Sequence, residues 1–332
     1  MYWLLLVRCA VSKLSMEKLC DKPSFSSDRL FFYLGKISVE TITDQSNRLL
    51  EHGFQLLWKD RWHHRPVLLA IDTTDQVFQG ADNPYVHFTV KTRGLKTTGV
   101  KVLRYATLSI VARRFKFTLA AVPVRRDMKM EVVVEQLVSR IPRVLKVRAI
   151  LMDKGFYHSG VMQTCDRLGI KYIIPCKQYP SLDNLYRLFE ATGHNHWKYT
   201  MHQNRPNEYR FDVYLEDNGV ERYAGFATNM DMSGRDFSTL SQAYRFRWNI
   251  ENGYKEANEF RIKTSSRNHG YRVLTTIIGC LLVNLHSLAK RKNKNAVIEV
   301  EDMKKIFLIM LDALLPEVKD KNRISKHLTI TY

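Results

Sequence analysis

Two short apolar runs, each ending on an aspartate, constrain this chain more than any other feature. Val67, Leu68, Leu69, Ala70 and Ile71 follow Pro66 and stop at Asp72; residues 147–152 repeat the pattern and stop at Asp153. A short continuous apolar run fits a strand buried on both faces, in the middle of a covered sheet. Each run therefore delivers a carboxylate where a buried strand emerges. Hydroxyls accompany the first, in Asp72-Thr73-Thr74-Asp75, and a tight turn follows the second, in Asp153-Lys154-Gly155-Phe156.

The rest of the chain arranges itself around these strands. Residues 1–62 read as an N-terminal helical subdomain, with Leu30, Phe31, Leu34 and Ile37, then Leu49, Leu50, Phe54, Leu57 and Trp58, at helical spacing. Residues 63–177 read as the first part of an α/β core. After the first strand comes a loop containing Gly94, Thr97, Thr98 and Gly99, then strands at 103–111 and 117–124 and a helix at 130–140 closed by Pro142. The second apolar strand, a helix at 160–168 and a strand at 172–176 complete a β-β-β-α-β-α-β order. Residues 178–236 alternate in the manner of antiparallel strands at 197–200, 209–215 and 222–227, which predicts a β-rich insertion. Residues 237–294 return to helical periodicity and end in a basic cluster at Lys290, Arg291, Lys292 and Lys294, and residues 295–332 read as a C-terminal helical tail.

Charge narrows the partner. The chain has 52 Lys and Arg against 33 Asp and Glu, a formal charge of +19, which suits a polyanion such as nucleic acid. Nothing points to a membrane: the longest apolar run, near 273–283, is interrupted by Thr275, Thr276 and Gly279 and is too short to span a bilayer. The apolar opening at 1–7 lacks the basic start and small-residue cleavage site of a secretory signal and reads as the cut end of a longer protein. Five cysteines, an odd number with no C-x-x-C pair, argue against a disulfide framework or a thiolate zinc site and fit a reducing cytoplasm or nucleoid.

A third acid stands in residues 244–255, Y-R-F-R-W-N-I-E-N-G-Y-K. On one helix Tyr244, Arg247 and Glu251 share a row, Lys255 follows a turn later, and Trp248 lies one residue round. By itself this is equally a solvated ladder of charges. Together with Asp72 and Asp153 it makes a trio of carboxylates whose mutual repulsion a hard divalent cation relieves, Mg²⁺ or Mn²⁺ in preference to zinc. Two such ions bind both the attacking and the leaving oxygen of a phosphodiester displacement, with no covalent protein nucleophile.

In this order the motifs resemble those of DDE transposases of prokaryotic insertion sequences, in the group with a Y-x-x-R-x-x-x-E-x-x-x-x-x-x-K signature. Tyr244, Arg247 and Glu251 match the signature, Asp72-Thr73-Thr74 the first-acid motif, and Asp153-Lys154-Gly155-Phe156 the second. The resemblance covers about residues 65–290. It implies an RNase H-like mixed sheet flanked by helices, with the β-rich insertion before the last catalytic helix, and an enzyme that cuts and joins DNA at element ends. It further implies that Asp72 bridges two Mg²⁺ (or Mn²⁺) ions, that Asp153 and Glu251 hold one each, and that Tyr244 and Arg247 contact phosphates. Trp197 and Trp248 become candidates for stacking a flipped base, Lys154 for lining the DNA channel, and a homodimer for the synaptic complex on transposon-end and target DNA. The signature's final lysine falls on Asn258, so Lys255, Arg261 or Lys263 would have to supply that charge. Two other readings stay open: an RNase H-like nuclease or resolvase that only hydrolyses, and a domesticated DNA-binding remnant without activity.

Overall fold

A computed structural model describes residues 2–19, 26–58, 65–89, 99–113, 115–177, 180–217, 224–232, 234–293 and 297–314. The chain divides into two compact units, one of residues 50–253 and one of residues 1–49 with 254–332.

The first unit holds a nine-stranded mixed sheet. Its centre is β1 (Val67–Val77), whose leading half is buried on both faces as its apolar run requires. On one side β1 pairs antiparallel with β3 (Val100–Ala112). The outer edge of β3 is shared end to end by the short β2 (Val86–Thr89), along Val100 to Leu103, and by β4 (Phe115–Val124), along Arg104 to Ala112. The sequence reading placed a loop where β2 lies; four residues are too few for an alternation to show. On its other side β1 pairs parallel with β5 (Val147–Met152), and β5 pairs parallel with β6 (Tyr172–Pro175). Helix α5 (Met130–Val138) packs on β3, β4 and α6 (Ser159–Arg167), covering a face that would otherwise expose the apolar strands.

The segment after β6 opens with a helix, α7 (Pro180–Thr192), in a stretch expected to be β-rich with strands from 197 onward. Strands β7 (His196–Met201), β8 (Tyr209–Glu216) and β9 (Ala224–Thr228) follow. They do not form a separate sheet. β9 pairs antiparallel with β6, opposite Ile173, Ile174 and Pro175, and β8 and β7 continue outward. Polar side chains seal the join: Asn229 Nδ2 donates to Asp166 Oδ1 at 2.6 Å and to Ile170 O at 2.9 Å, and Thr228 Oγ1 donates to Tyr172 O at 2.7 Å.

The second unit is helical: α1 (Tyr2–Ser12), α2 (Met16–Leu19), α3 (Ser27–Gly35), α10 (His269–Lys292), α11 (Val300–Leu314), and the near parts of α4 (Val39–Trp58) and α9 (Trp248–Glu259). Leu6, Cys9, Met16, Phe260, Tyr271, Ile278, Leu282, Met303 and Phe307 make its core. The apolar opening of the chain is thus part of a packed helix, with Leu6, Cys9, Ala10 and Val11 buried. By length and composition α10 is apolar enough to cross a bilayer, in contrast to the sequence reading, but 61% of that window is buried inside the protein, as in a core helix. Cys9, Cys165, Cys176 and Cys280 are buried free thiols.

Candidate active site

Register brings the two aspartates together. Ile71 on β1 is paired with Met152 on the parallel β5, so the next residues, Asp72 and Asp153, follow side by side; β5 ends there, whereas β1 runs on to Val77, so Asp72 lies in the middle of its strand and not at the strand end that the apolar run suggested. Asp72 is still within β1, opposite Thr107 of β3, and is only 6% exposed. Its Oδ1 accepts the Thr73 backbone N–H at 2.8 Å. Asp153 has left the strand and caps a short 3-10 turn, Lys154–Phe156, its Oδ1 accepting the Gly155 N–H at 2.8 Å. That bond explains the third residue of the motif: a Cβ at position 155 would sit 2.9 Å from the same oxygen, so only glycine lets the carboxylate fold over the turn.

The aromatic, basic stretch reaches both strands. It is not the single helix expected: α8 (Gly234–Tyr244) ends at Tyr244, a 3-10 turn covers Arg245–Arg247, and α9 begins at Trp248. In a 3-10 turn, positions three apart eclipse one another. The tightening stacks the Arg247 guanidinium over the Tyr244 ring, 5.7 Å from its centroid, and aims it at β1. Arg247 Nη1 lies 3.2 Å from Asp72 Oδ2, an ion pair whose side chains are 11% and 8% exposed. Tyr244 Oη donates to Met152 O at 2.9 Å, one residue before Asp153. One turn therefore touches both acid-bearing strands. Burial pushes the Tyr244 phenol well above its ordinary range, Arg247 pulls it down, and the charges of Asp153 and Asp72 push it up again, so it stays protonated and remains a donor.

The start of α9 is pinned to the β3–β4 hairpin. Asn249 Nδ2 donates to Ala112 O at 2.7 Å, and the buried Lys116 stem lies where a side chain at Gly253 would have to go. Asn249 and Lys116 escaped the sequence reading, because nothing local marks an asparagine or lysine that matters only through a hairpin 137 residues away in the chain. Between Asn249 and Gly253, on the same helix, is Glu251. Its side chain lies outside the described residues. Among the described residues no group of three His, Cys, Asp or Glu side chains converges as a metal cluster.

The remaining predicted residues separate by exposure. Trp248 is 60% exposed at the first position of α9. Trp197 is half-buried on β7, edge-on to His194 at 5.0 Å between ring centroids. Lys154 is exposed on the turn after Asp153, whereas its neighbour Tyr157 is 2% exposed and no surface group. Lys255 and Asn258 are exposed on α9 and belong to the helical unit, so the described carboxylate pair and the cation expected to replace the signature lysine fall in different units.

An antiparallel β1–β3–β4 run continued by parallel β5 and β6, with a carboxylate in the middle of β1, another just after β5 and a late helix following in the chain, defines an RNase H-like protein of the DDE class. The family described as the transposase DDE domain matches residues 64–285, and the chain belongs to it: it is a DNA transposase. Among solved structures it is similar to the piggyBac transposase in a synaptic complex with hairpin DNA, at 12% identity and a TM-score of 0.53, over 98% of this chain and 74% of that one. At that identity the likeness is one of fold. No curated protein matches the sequence.

Proposed function

We propose that this transposase cuts and joins DNA at the ends of a mobile element, using Asp72, Asp153 and Glu251 as carboxylates that hold two Mg²⁺ or Mn²⁺ ions. The observation that carries the reading is the pairing of Ile71 with Met152, after which Asp72 and Asp153 follow on adjacent strands, Asp72 paired with Arg247. The donor set suits the ions: Asp72 and Asp153 offer hard oxygens, and the cysteines that would favour softer metals are buried elsewhere. When bound, such ions activate the attacking oxygen and stabilise the leaving one.

The chain's own residues supply the rest. Arg247 holds the Asp72 carboxylate in one orientation, and a guanidinium at that position is a group suited to binding phosphate. Tyr244 fixes the end of β5, and Asn249 with Lys116 fixes the helix that carries Glu251. Trp248 presents a stacking surface beside Arg247, Trp197 a second one on the outer strand, and Lys154 and Lys255 add phosphate contacts on exposed positions. A pair of chains bringing two DNA ends together agrees with the synaptic complex described for the piggyBac protein.

The test is cleavage and joining of terminal-repeat DNA by purified protein. Mg²⁺ should support both, chelation should abolish both, and Asp153→Ala should remove cleavage while retaining DNA binding. Cleavage that survives Asp153→Ala would overturn the carboxylate assignment. Cleavage without joining of a pre-cut end would favour a hydrolytic nuclease.

A further inference from the structure

The contacts of Tyr244 continue away from the carboxylates into the outer strands. Its ring meets Phe226 of β9 at 5.3 Å between centroids, inclined by 67°. Phe226 meets Phe237 of α8 at 5.8 Å, and Phe237 stacks on Tyr214 of β8 at 4.8 Å with an interplanar angle of 17°. Tyr214 in turn stacks on His196 of β7 at 4.3 Å, nearly parallel, and is register partner to Phe226 across β8 and β9. The Tyr214 hydroxyl is anchored in both directions on one residue, donating to Met232 O at 3.0 Å and accepting from Met232 N–H at 2.9 Å. Phe226, Phe237 and Tyr214 are 7%, 1% and 1% exposed.

From this column we infer that the outer strands β7–β9 position the active site, with Phe226 as the key positioning residue. Phe237 and Tyr244 lie two helical turns apart on one face of α8, so Phe226 and Tyr214 hold that face against the sheet. The end of α8 sets the 3-10 turn, and the turn sets where the Arg247 guanidinium stands against Asp72. A packed aromatic surface has few alternative arrangements, so loss of the Phe226 ring shifts the turn instead of being absorbed locally. The segment that reads as an insertion is by this account a support for the carboxylate pair, in addition to any contact it makes with DNA. The effect on catalysis rests on the proposed role of Asp72; the effect on Arg247 does not.

The test compares Phe226→Leu with Phe117→Leu, a control that removes a buried ring from β4, where Phe117 meets Phe54 at 6.4 Å. Two readouts are taken below the melting temperature of every variant: the Arg247 Nε–H resonance in ¹⁵N-arginine-labelled protein, assigned by its loss in Arg247→Lys, and the single-turnover cleavage rate at saturating Mg²⁺ and DNA. Phe226→Leu should shift or broaden the Arg247 resonance and slow cleavage by about tenfold or more, since a misplacement of about 1 Å at a reacting site costs up to about 10²-fold. Phe226→Tyr should restore both, and Phe117→Leu should leave both within about twofold. An unchanged Arg247 resonance in Phe226→Leu, or an equal change in Phe117→Leu, overturns the inference. A wild-type protein that never cleaves would sink the proposed function and leave the resonance to decide this one.

Discussion

Arg247 Nη1 stands 3.2 Å from Asp72 Oδ2, linking the turn before α9 to the middle of β1 across 175 residues of chain. Both side chains are nearly buried, and removing one partner of such a pair leaves an uncompensated charge in a poorly hydrated place. Arg247→Ala should therefore cost about 3–5 kcal/mol of stability, read by chemical denaturation. Arg247→Lys keeps the charge and loses the planar fork, so it should recover part of the stability but little of the cleavage rate. Equal recovery of both would mean that charge alone is what the site needs.

Gly155 carries a second prediction. A methyl group there would stand 2.9 Å from Asp153 Oδ1 and must displace either the carboxylate or the turn. Gly155→Ala should lower Mg²⁺-dependent cleavage by about tenfold or more, as a displaced reacting group does, with only a small change in melting temperature and in DNA affinity. A rate equal to wild type would show that the Asp153 carboxylate does not act from its position over the turn.

Trp248 offers the opposite combination. It is 60% exposed, so Trp248→Ala should leave melting unchanged. If the indole stacks on a base, the substitution should weaken binding of an end with an unpaired base by about 1–3 kcal/mol, and Trp248→Phe should retain part of it. Fluorescence anisotropy with fully paired DNA as the comparison gives the answer; an equal loss on both substrates would indicate a phosphate or surface contact.

His269, the first residue of α10, predicts a pH dependence. Burial holds its imidazolium pKa below the ordinary value, and the neighbouring Arg272 lowers it further. The folded state thus binds fewer protons than the unfolded state in the window from about 6.5 down to the depressed value. Stability should rise with pH through that window and be lost on acidification. His269→Gln should flatten this dependence, measured as the denaturation midpoint between about pH 5 and 7.5; an unaltered slope would assign it to other groups.

Much of this protein is legible from local pattern. The runs before Asp72 and Asp153 are short and apolar, the second broken only by Arg148, so the burial of both strands follows from a few adjacent residues, although β1 continues past Asp72 to Val77. The strands at 196–201 and 209–216 were visible through alternation for the same reason. Helix α7 was missed because its polar face resembles the alternation around it, and β2 because four residues carry too little pattern. The break at Tyr244 was also hidden: no glycine or proline interrupts Y-R-F-R-W, and the turn tightens where Arg247 meets Asp72, a residue of another element.

The sequence by itself thus determined which acids directly follow the two buried runs, since an apolar run dictates its own burial. Only the tertiary structure decided how they are combined. The parallel register of β1 and β5, the aromatic column behind Tyr244 and the hairpin that pins Asn249 all join residues far apart in the chain. Such contacts depend on how strands and helices pack, and packing energy is spread over many neighbours that no local spacing records.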